Sequence, residues 1–285
     1  MFVLPLSSQK MRANNFDDAV TVAGIVDPGR RKINKMKTTW FGFSVALLLI
    51  NIIGMPASPM PATTFESGEV QNSLIELFTS EGCSSCPPAE KWISALKSNQ
   101  DLWKKIIPVA FHVDYWDRLG WRDRFAKPEF TSRQQHYAAA WGGDSVYTPG
   151  FVVNGREWRD WFGGNAMPTS STKVGVLRVS LGGDRKLTAT FVPETTQLRA
   201  LALNVALLGS DLESDVKRGE NSGRKLRHDF VVLDLIKADM VNESNRWTGS
   251  VALPMRTAND KPSALAAWIT ENSTPIQATG GWLKP

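Results

Sequence analysis

Residues 74–90 of the chain read LIELFTSEGCSSCPPAE and hold both cysteines of the sequence. The apolar run at residues 74–78 is typical of a buried strand. Apolar residues recur at helical spacing between residues 89 and 102, and a proline pair is tolerated only in a first helical turn. The sequence therefore predicts a strand, a C-x-x-C turn and a helix in that order.

A cysteine at a helix N-terminus is exposed to the positive end of the helix dipole, which favours thiolate over thiol. We therefore predict that Cys83 is the exposed attacking thiolate and that Cys86 resolves the mixed disulfide. Two alternatives remain open. The pair is a passive disulfide, or it is half of a zinc or copper site completed by a histidine, although none has the spacing of a two-cysteine, two-histidine finger. The candidate histidines are His112, His136 and His228.

A second apolar run, residues 106–113, predicts another strand and leads into Asp114. Asp114 either relays protons for Cys86 or caps the next helix. The tryptophans that follow either line a peptide groove beside the dithiol or belong to the core. They are Trp116, Trp121, Trp141, Trp158 and Trp161. A helix is expected over residues 129–140.

Thr148 and Pro149 open a predicted strand that ends in Asn154-Gly155. Proline lacks the N–H that a central strand needs. A cis peptide bond would resolve that conflict and leave the Thr148 backbone free to pair with an incoming peptide. The candidate catalytic residues are Cys83, Cys86, Pro149 and Asp114, and the candidate substrate-binding residues are Thr148, Trp116 and Trp121.

The pattern changes after a stretch rich in Gly, Pro, Ser and Thr at residues 163–171. Six short segments with strand character follow, which predicts an antiparallel sheet or sandwich. They are 174–180, 186–192, 201–208, 228–236, 247–253 and 264–269. We therefore expect one domain over residues 63–167 and a β-rich domain over residues 168–285. The charged loop at residues 218–224 is either a plain turn or a segment that closes over the dithiol.

The 285 residues carry a formal charge of +5, and seven basic against three acidic residues lie in the first 62. The remainder is nearly neutral, so it lacks the basic surface that nucleic-acid binding needs, and nucleic acid is not an expected partner. Residues 1–62 predict a leader: a basic stretch, an apolar stretch at 40–54, then small residues and prolines. Met36 is an alternative start, and an uncleaved membrane anchor is the alternative to cleavage.

Several segments together resemble a secreted bacterial family of unknown function, DUF1223, within the thioredoxin-like superfamily. They are LFTSEGCSSCPPAE (77–90), FHVDYWDRLGWRD (111–123), Arg133-Gln134, VYTPGFVVNG (146–155) and RGENSGRKLRHDFVV (218–232). The resemblance covers about residues 72–285. It implies an α/β thioredoxin-like domain followed by a β-rich domain in an exported, periplasmic or secreted protein, and it implies no established substrate.

The sequence thus predicts a secreted thiol–disulfide oxidoreductase that acts on protein thiols and disulfides. No organic cofactor and no metal are expected, because the electrons reside in the dithiol. Membrane contact is expected only through an uncleaved anchor. The alternatives are a copper- or zinc-binding module, such as a metallochaperone, that uses the same cysteines, and a non-catalytic interaction domain with a structural disulfide.

Overall fold

The computed structural model describes residues 3–5, 62–163, 166–255 and 262–284. The basic and apolar segments of the predicted leader lie outside these residues. The described residues belong to one compact unit, and the predicted boundary between residues 167 and 168 falls inside it. No helix among the described residues is both long enough and apolar enough to cross a membrane.

The described residues form two α-helices and seventeen β-strands. The helices are α1 (Pro87–Ala95) and α2 (Pro128–Ala140). The strands are β1 (Val3–Pro5), β2 (Thr63–Glu66), β3 (Ser73–Thr79), β4 (Ile106–His112), β5 (Ser145–Tyr147), β6 (Gly150–Val153), β7 (Arg156–Glu157), β8 (Gly175–Leu181), β9 (Lys186–Pro193), β10 (Leu201–Gly209), β11 (Leu212–Asp215), β12 (Lys225–His228), β13 (Val231–Asp239), β14 (Val241–Glu243), β15 (Arg246–Ala252), β16 (Ala264–Glu271) and β17 (Thr274–Trp282).

The largest sheet has eight strands in the order β17-β16-β10-β13-β4-β3-β6-β7. Strands β3 and β4 are parallel, and β6 runs antiparallel to β3. Strand β13 joins β4 through one parallel pair, Val231 with Ala110, where the Ala110 amide donates to Phe230 O at 2.8 Å. Strands from both halves of the sequence therefore build one sheet.

A second sheet of five strands, in the order β14-β15-β9-β8-β2, covers part of the first. Burial alternates along β9, so that every second side chain is buried, as expected for a sheet with one solvated face. Leu187 and Phe191 of β9 share a core with Leu203 of β10 and Ile269 of β16. This half of the molecule is a β-sandwich, and two antiparallel pairs, β1–β5 and the hairpin β11–β12, complete the strand pairing.

The two helices lie against opposite faces of β3. Ile93 of α1 is in a core with Ile75 and Leu77, whereas Phe130 of α2 is in a core with Phe78. Side chains of neighbouring positions in a strand point to opposite faces, which places the helices on either side of the sheet.

The predicted α/β thioredoxin-like fold class is wrong. Two α-helices stand against seventeen strands in the described residues, and only β3–β4 and the single β13–β4 pair are parallel. The prediction rested on a local order of elements, namely a strand, the C-x-x-C turn and a helix, and assumed that this order continued through the whole domain. Long-range pairing with the C-terminal strands instead makes the architecture predominantly β. The β-rich character of residues 168–285 is confirmed.

The predicted strand segments correspond to strands β3, β4, β8, β9, β10, β13, β15 and β16. The segment at residues 147–155 is interrupted at Thr148-Pro149 and forms β5 and β6. The first helix ends at Ala95, earlier than predicted, and continues as a 3-10 turn over Leu96–Ser98. Strand β17 was not predicted, because its two glycines and its proline weaken the apolar pattern.

An ion pair lies inside the large sheet, beneath α2. Arg133 donates from Nε to Glu76 Oε2 at 2.6 Å and from Nη2 to Oε1 at 3.0 Å, and Tyr137 donates its hydroxyl to Glu76 Oε1 at 2.6 Å. Glu76 is fully buried in the middle of β3. The carboxylate is therefore paired and hydrogen-bonded, which a buried charge requires.

We expect Arg133→Met to lower the free energy of unfolding by about 3–5 kcal/mol, because it leaves the Glu76 carboxylate buried without its cation. Lys173→Met is the control: it removes the exposed pair with Glu69, at 2.9 Å, and should lower the free energy of unfolding far less than Arg133→Met does, because solvent screens the pair. Urea unfolding of both variants measures the difference. Equal decreases in the free energy of unfolding of the two variants would show that the buried ion pair contributes no more to stability than the exposed one.

Candidate functional site

The two cysteines form a disulfide in the turn between β3 and α1. Their Cα atoms are 5.4 Å apart. Cys86 is the residue that precedes α1, and its carbonyl accepts hydrogen bonds from the amides of Ala89 at 2.9 Å and Glu90 at 3.1 Å. Pro87 and Pro88 occupy the first helical turn, as predicted. Cys86, and not Cys83, therefore lies at the helix N-terminus.

Neither cysteine is exposed in this oxidised form. Both have a relative exposure of 0%, whereas Ser84 and Ser85 between them are exposed. The predicted exposure of Cys83 is therefore wrong. Both cysteines belong to a hydrophobic core with Phe78 and Trp116, and a segment far along the chain also binds the turn, which local sequence does not reveal.

That segment is the loop at residues 216–224, between β11 and β12, here called the covering loop. The side-chain amide of Asn221 is fully buried and donates to Glu81 O and to Cys83 O, each at 2.9 Å. Glu220 accepts from the Ser84 hydroxyl at 2.6 Å and from the Ser84 amide at 3.2 Å. Of the two interpretations of residues 218–224, the structure supports closure over the disulfide.

A cluster of five buried ionisable side chains flanks the C-x-x-C turn. It consists of Glu81, Glu90, His112, Asp123 and His228, here called the buried cluster. His228 Nδ1 lies 2.5 Å from Glu90 Oε2, and His112 Nδ1 lies 2.6 Å from Asp123 Oδ2. The rings of the two histidines have centroids 5.1 Å apart. The cluster joins the end of β3, helix α1, the end of β4 and the end of β12.

The acidic and basic side chains of the buried cluster stabilise the charged forms of one another. Burial disfavours the imidazolium of His228, but the carboxylates of Glu90 and Glu81 outweigh that effect and raise its pKa to about 10. Burial likewise acts to raise the pKa of Glu90, yet the charge and hydrogen bond of His228 hold that pKa below its ordinary value. The pKa of Asp123 is lowered in the same way by His112. The interior beside the disulfide is therefore charged.

Asp114 lies next to α2. Its Oδ1 accepts from the Thr131 hydroxyl at 2.5 Å, and its amide donates to the same hydroxyl at 3.2 Å. Asp114 is not the N-cap of α2, which is Lys127; it contacts the helix through the hydroxyl of Thr131 instead.

Trp116 and Trp121 each donate a hydrogen bond from the indole nitrogen. Trp116 Nε1 donates to Thr148 Oγ1 at 2.8 Å, and Trp121 Nε1 donates to Glu81 Oε2 at 2.6 Å. The Thr148-Pro149 peptide bond is cis, as predicted. Thr148 is fully buried, and Trp116 therefore links the segment after β4 to the Thr148-Pro149 bend.

An apolar groove of about 680 Å³ begins at Ser85 and passes the Thr148-Pro149 bend. Three of the five tryptophans considered from sequence line it, together with an aromatic residue that is 78% exposed. These are Trp141, Trp158, Trp161 and Phe162. Trp116 and Trp121 do not line the groove.

The model of a family described as "Protein of unknown function (DUF1223)" matches residues 74–270. The chain belongs to the DUF1223 family. Its fold is similar to the crystal structure of protein AGR_C_4864 from Agrobacterium tumefaciens, with a TM-score of 0.54 and 23% identity over 76% of this chain and 95% of that one. It is also similar to HBP35 of Porphyromonas gingivalis, with a TM-score of 0.50 and 15% identity over 76% of each chain. No curated protein matches the chain significantly.

The site of this DUF1223 member contains residues that the sequence did not single out. Glu81, Glu90 and Asp123 were not candidates, and His228 was considered only as one of three histidines that could complete a metal site with the cysteines. Glu90 carried a signal, because an acidic residue on an apolar helix face, near Ile93, is unusual in a soluble helix. Asn221 carried none beyond its place in a charged loop.

We expect Asn221→Ala to weaken the cover, because Glu81 O and Cys83 O each lose a donor. Losing a buried hydrogen bond costs about 1–3 kcal/mol, so the disulfide should be reduced by dithiothreitol about tenfold faster. Ser222→Ala is the matched control in the same loop, because that exposed hydroxyl bonds only to Lys217 O, at 3.0 Å. Unchanged reduction kinetics in Asn221→Ala would contradict the assigned role.

Proposed function

We propose that this protein is an exported thiol–disulfide oxidoreductase that acts on other proteins. The observation that carries the proposal is that the turn closed by the Cys83–Cys86 disulfide contributes to the lining of an apolar groove. Ser85, between the two cysteines, lines that groove. A redox pair next to a surface that accepts apolar chain fits an enzyme whose substrates are polypeptides.

The reaction requires only the two sulfur atoms and the substrate. In the reduced protein, the thiolate of Cys83 attacks one sulfur of a substrate disulfide, and the other substrate sulfur leaves as a thiolate that takes up a proton. The thiolate of Cys86 then attacks Cys83. The mixed disulfide breaks, the second substrate thiol is released and the Cys83–Cys86 disulfide forms. The substrate gains two electrons. A dithiol protein then reduces the Cys83–Cys86 disulfide to two thiols. The reverse sequence of steps oxidises a substrate dithiol.

The covering loop must move before this chemistry occurs, because both sulfurs are buried in the closed form. Ser84 and Asn221 provide the contacts that would break. The loop is attached by hydrogen bonds of Glu220 and Asn221 to the turn. Such an opening is a local event of the kind that proteins undergo at low free-energy cost in exposed loops.

The groove suits an extended apolar segment. Aromatic side chains provide large contact areas, and strand β5 at the groove pairs antiparallel with β1, Val3–Pro5. That pairing illustrates how the edge of β5 accepts an added strand. Addition of an extended peptide to a sheet edge is a common mode of peptide recognition.

Export is part of the proposal for two reasons. Residues 1–62 combine basic, apolar and small-residue segments in the order of a signal peptide. A disulfide between the only two cysteines of the chain persists in an oxidising compartment and is rare in the cytosol.

A non-catalytic role is the second candidate, because one observation favours it. Both sulfurs are fully buried, whereas reactive cysteines are at least partly exposed. In that case the disulfide staples the start of α1, and the groove binds a partner without redox chemistry.

The Cys86→Ser variant distinguishes the two candidates. Under the proposal, Cys83 attacks a substrate disulfide, and the mixed disulfide accumulates because no resolving thiol is present. Non-reducing electrophoresis of the exported protein, isolated after acid quenching, measures these adducts.

Cys83→Ser is the matched control and should form at least about tenfold fewer adducts, because the proposal assigns the attack on the substrate disulfide to Cys83. Equal adduct levels in the two variants, or none in either, would support the structural disulfide.

The groove makes a separate prediction. Phe162→Ser should raise the KM for a disulfide-containing peptide with apolar flanks by about tenfold, because a buried phenylalanine contributes ~1.5–3 kcal/mol. The redox potential of the disulfide should not change. Val241→Ser, at a residue that is 61% exposed on β14 in the other sheet, is the control and should leave both quantities unchanged. An unaltered KM in Phe162→Ser would show that the groove does not bind the substrate.

A further inference from the structure

The buried cluster contains an unusual number of unsatisfied polar atoms. Eight buried side-chain nitrogen or oxygen atoms in the described residues lack a hydrogen-bond partner, and three of them are in this one cluster. They are Glu81 Oε1, His112 Nε2 and His228 Nε2. Glu81 Oε1 and His228 Nε2 face each other at ion-pair distance, 3.3 Å, so His112 Nε2 is the atom whose burial without a partner calls for a physical explanation.

These atoms belong to side chains that converge. His112, His228 and Glu90 can each bring one ligand atom within 4.8 Å of the others, and all three side chains are buried. Glu81 Oε1 is 3.3 Å from His228 Nε2, at ion-pair distance but without a hydrogen bond. Two imidazoles and a carboxylate are a ligand set that Zn²⁺ favours.

The surroundings of the histidines fit the same role. His112 uses Nδ1 to contact the ionised carboxylate of Asp123, at 2.6 Å, and this contact orients Nε2 as a lone-pair donor. Metal-binding histidines commonly have such a carboxylate on the other ring nitrogen. Asp123 is itself fixed, because its Oδ2 accepts from the Glu81 amide at 2.8 Å and its Oδ1 from the Phe125 amide at 2.9 Å.

Charge favours a cation as well. The cluster places three carboxylates and two imidazoles in the interior, and nearly all of these side chains are inaccessible to water. A divalent cation would offset the excess negative charge, and its ligation by the His228 ring would release the proton from the ligating nitrogen.

We propose that His112, His228 and Glu90 form a buried structural site for a divalent zinc-type cation, with Glu81 at its edge and Asp123 orienting His112. This site differs from a metal bound by the cysteines, which are joined to each other in the structure. It also stands independently of the proposed redox function. The site links β4, α1 and β12, so the metal would stabilise the region around the C-x-x-C turn.

The experiment measures Zn²⁺ bound to the oxidised full chain, refolded from denaturant with and without ZnCl₂ and then dialysed. Refolding gives the ion access before the site is buried. We expect about one Zn²⁺ per chain by elemental analysis, a higher Tm with Zn²⁺, and no effect of Mg²⁺, which prefers oxygen ligands. The double variant Cys83→Ser/Cys86→Ser should bind Zn²⁺ equally well.

Variants locate the ligands. His112→Ala should lose Zn²⁺, and Asp123→Asn should bind it about 10–100-fold more weakly, because it alters a residue that orients a ligand. His136→Ala is the control, since His136 is exposed and contacts only Ser132 O, at 2.6 Å. If His112→Ala fails to fold, which circular dichroism reveals, Asp123→Asn decides the matter.

Three results would overturn the site: a folded chain that takes up no Zn²⁺, loss of Zn²⁺ in the double cysteine variant, or an unchanged affinity in Asp123→Asn. Zn²⁺ binding by the wild-type chain and by the double cysteine variant, together with absent redox activity in the wild-type chain, would leave the metal site intact and isolate the proposed function as the part that failed.

Discussion

The contact between His228 and Glu90 holds the two sequence halves together at the site. Glu90 belongs to the first helix and His228 to the end of β12, and 138 residues separate them. Around this pair, Thr79 donates its hydroxyl to Glu90 Oε1 at 2.7 Å, and His228 approaches Glu81. The start of α1, the end of β3 and the hairpin of the covering loop therefore meet at this charged contact, in an interior nearly inaccessible to water.

A charged interior carries a cost that packing must offset. Burial of both Glu90 and His228 disfavours their ionised forms, but each stabilises the charge of the other, so removing one partner leaves the second buried and unpaired. The ion pair of Glu76 and Arg133 follows the same rule on the other face of β3. Strand β3 thus carries an acidic side chain in its middle and leads into a second one at Glu81, and both depend on cations from distant segments.

The parts of the fold that could be predicted are those determined by neighbouring residues. The apolar run of β3, the prolines at the start of α1 and the alternation along β9 each report local geometry. The shared sheet could not be predicted, because it depends on Val231 meeting Ala110 across more than a hundred residues. The same holds at the site. The cysteines were visible as a motif, but His112, Asp123 and His228 become neighbours only after strands from both halves align.

The positions of the cysteines and of the covering loop in the chain determine the order in which they are synthesised. Asn221 follows Cys83 by 138 residues, so synthesis delivers the two cysteines well before the side chain that shields them. During that interval the C-x-x-C turn has neither its cover nor the histidine beside it. Both thiols are therefore present on the growing chain before the segment that binds the turn has been made.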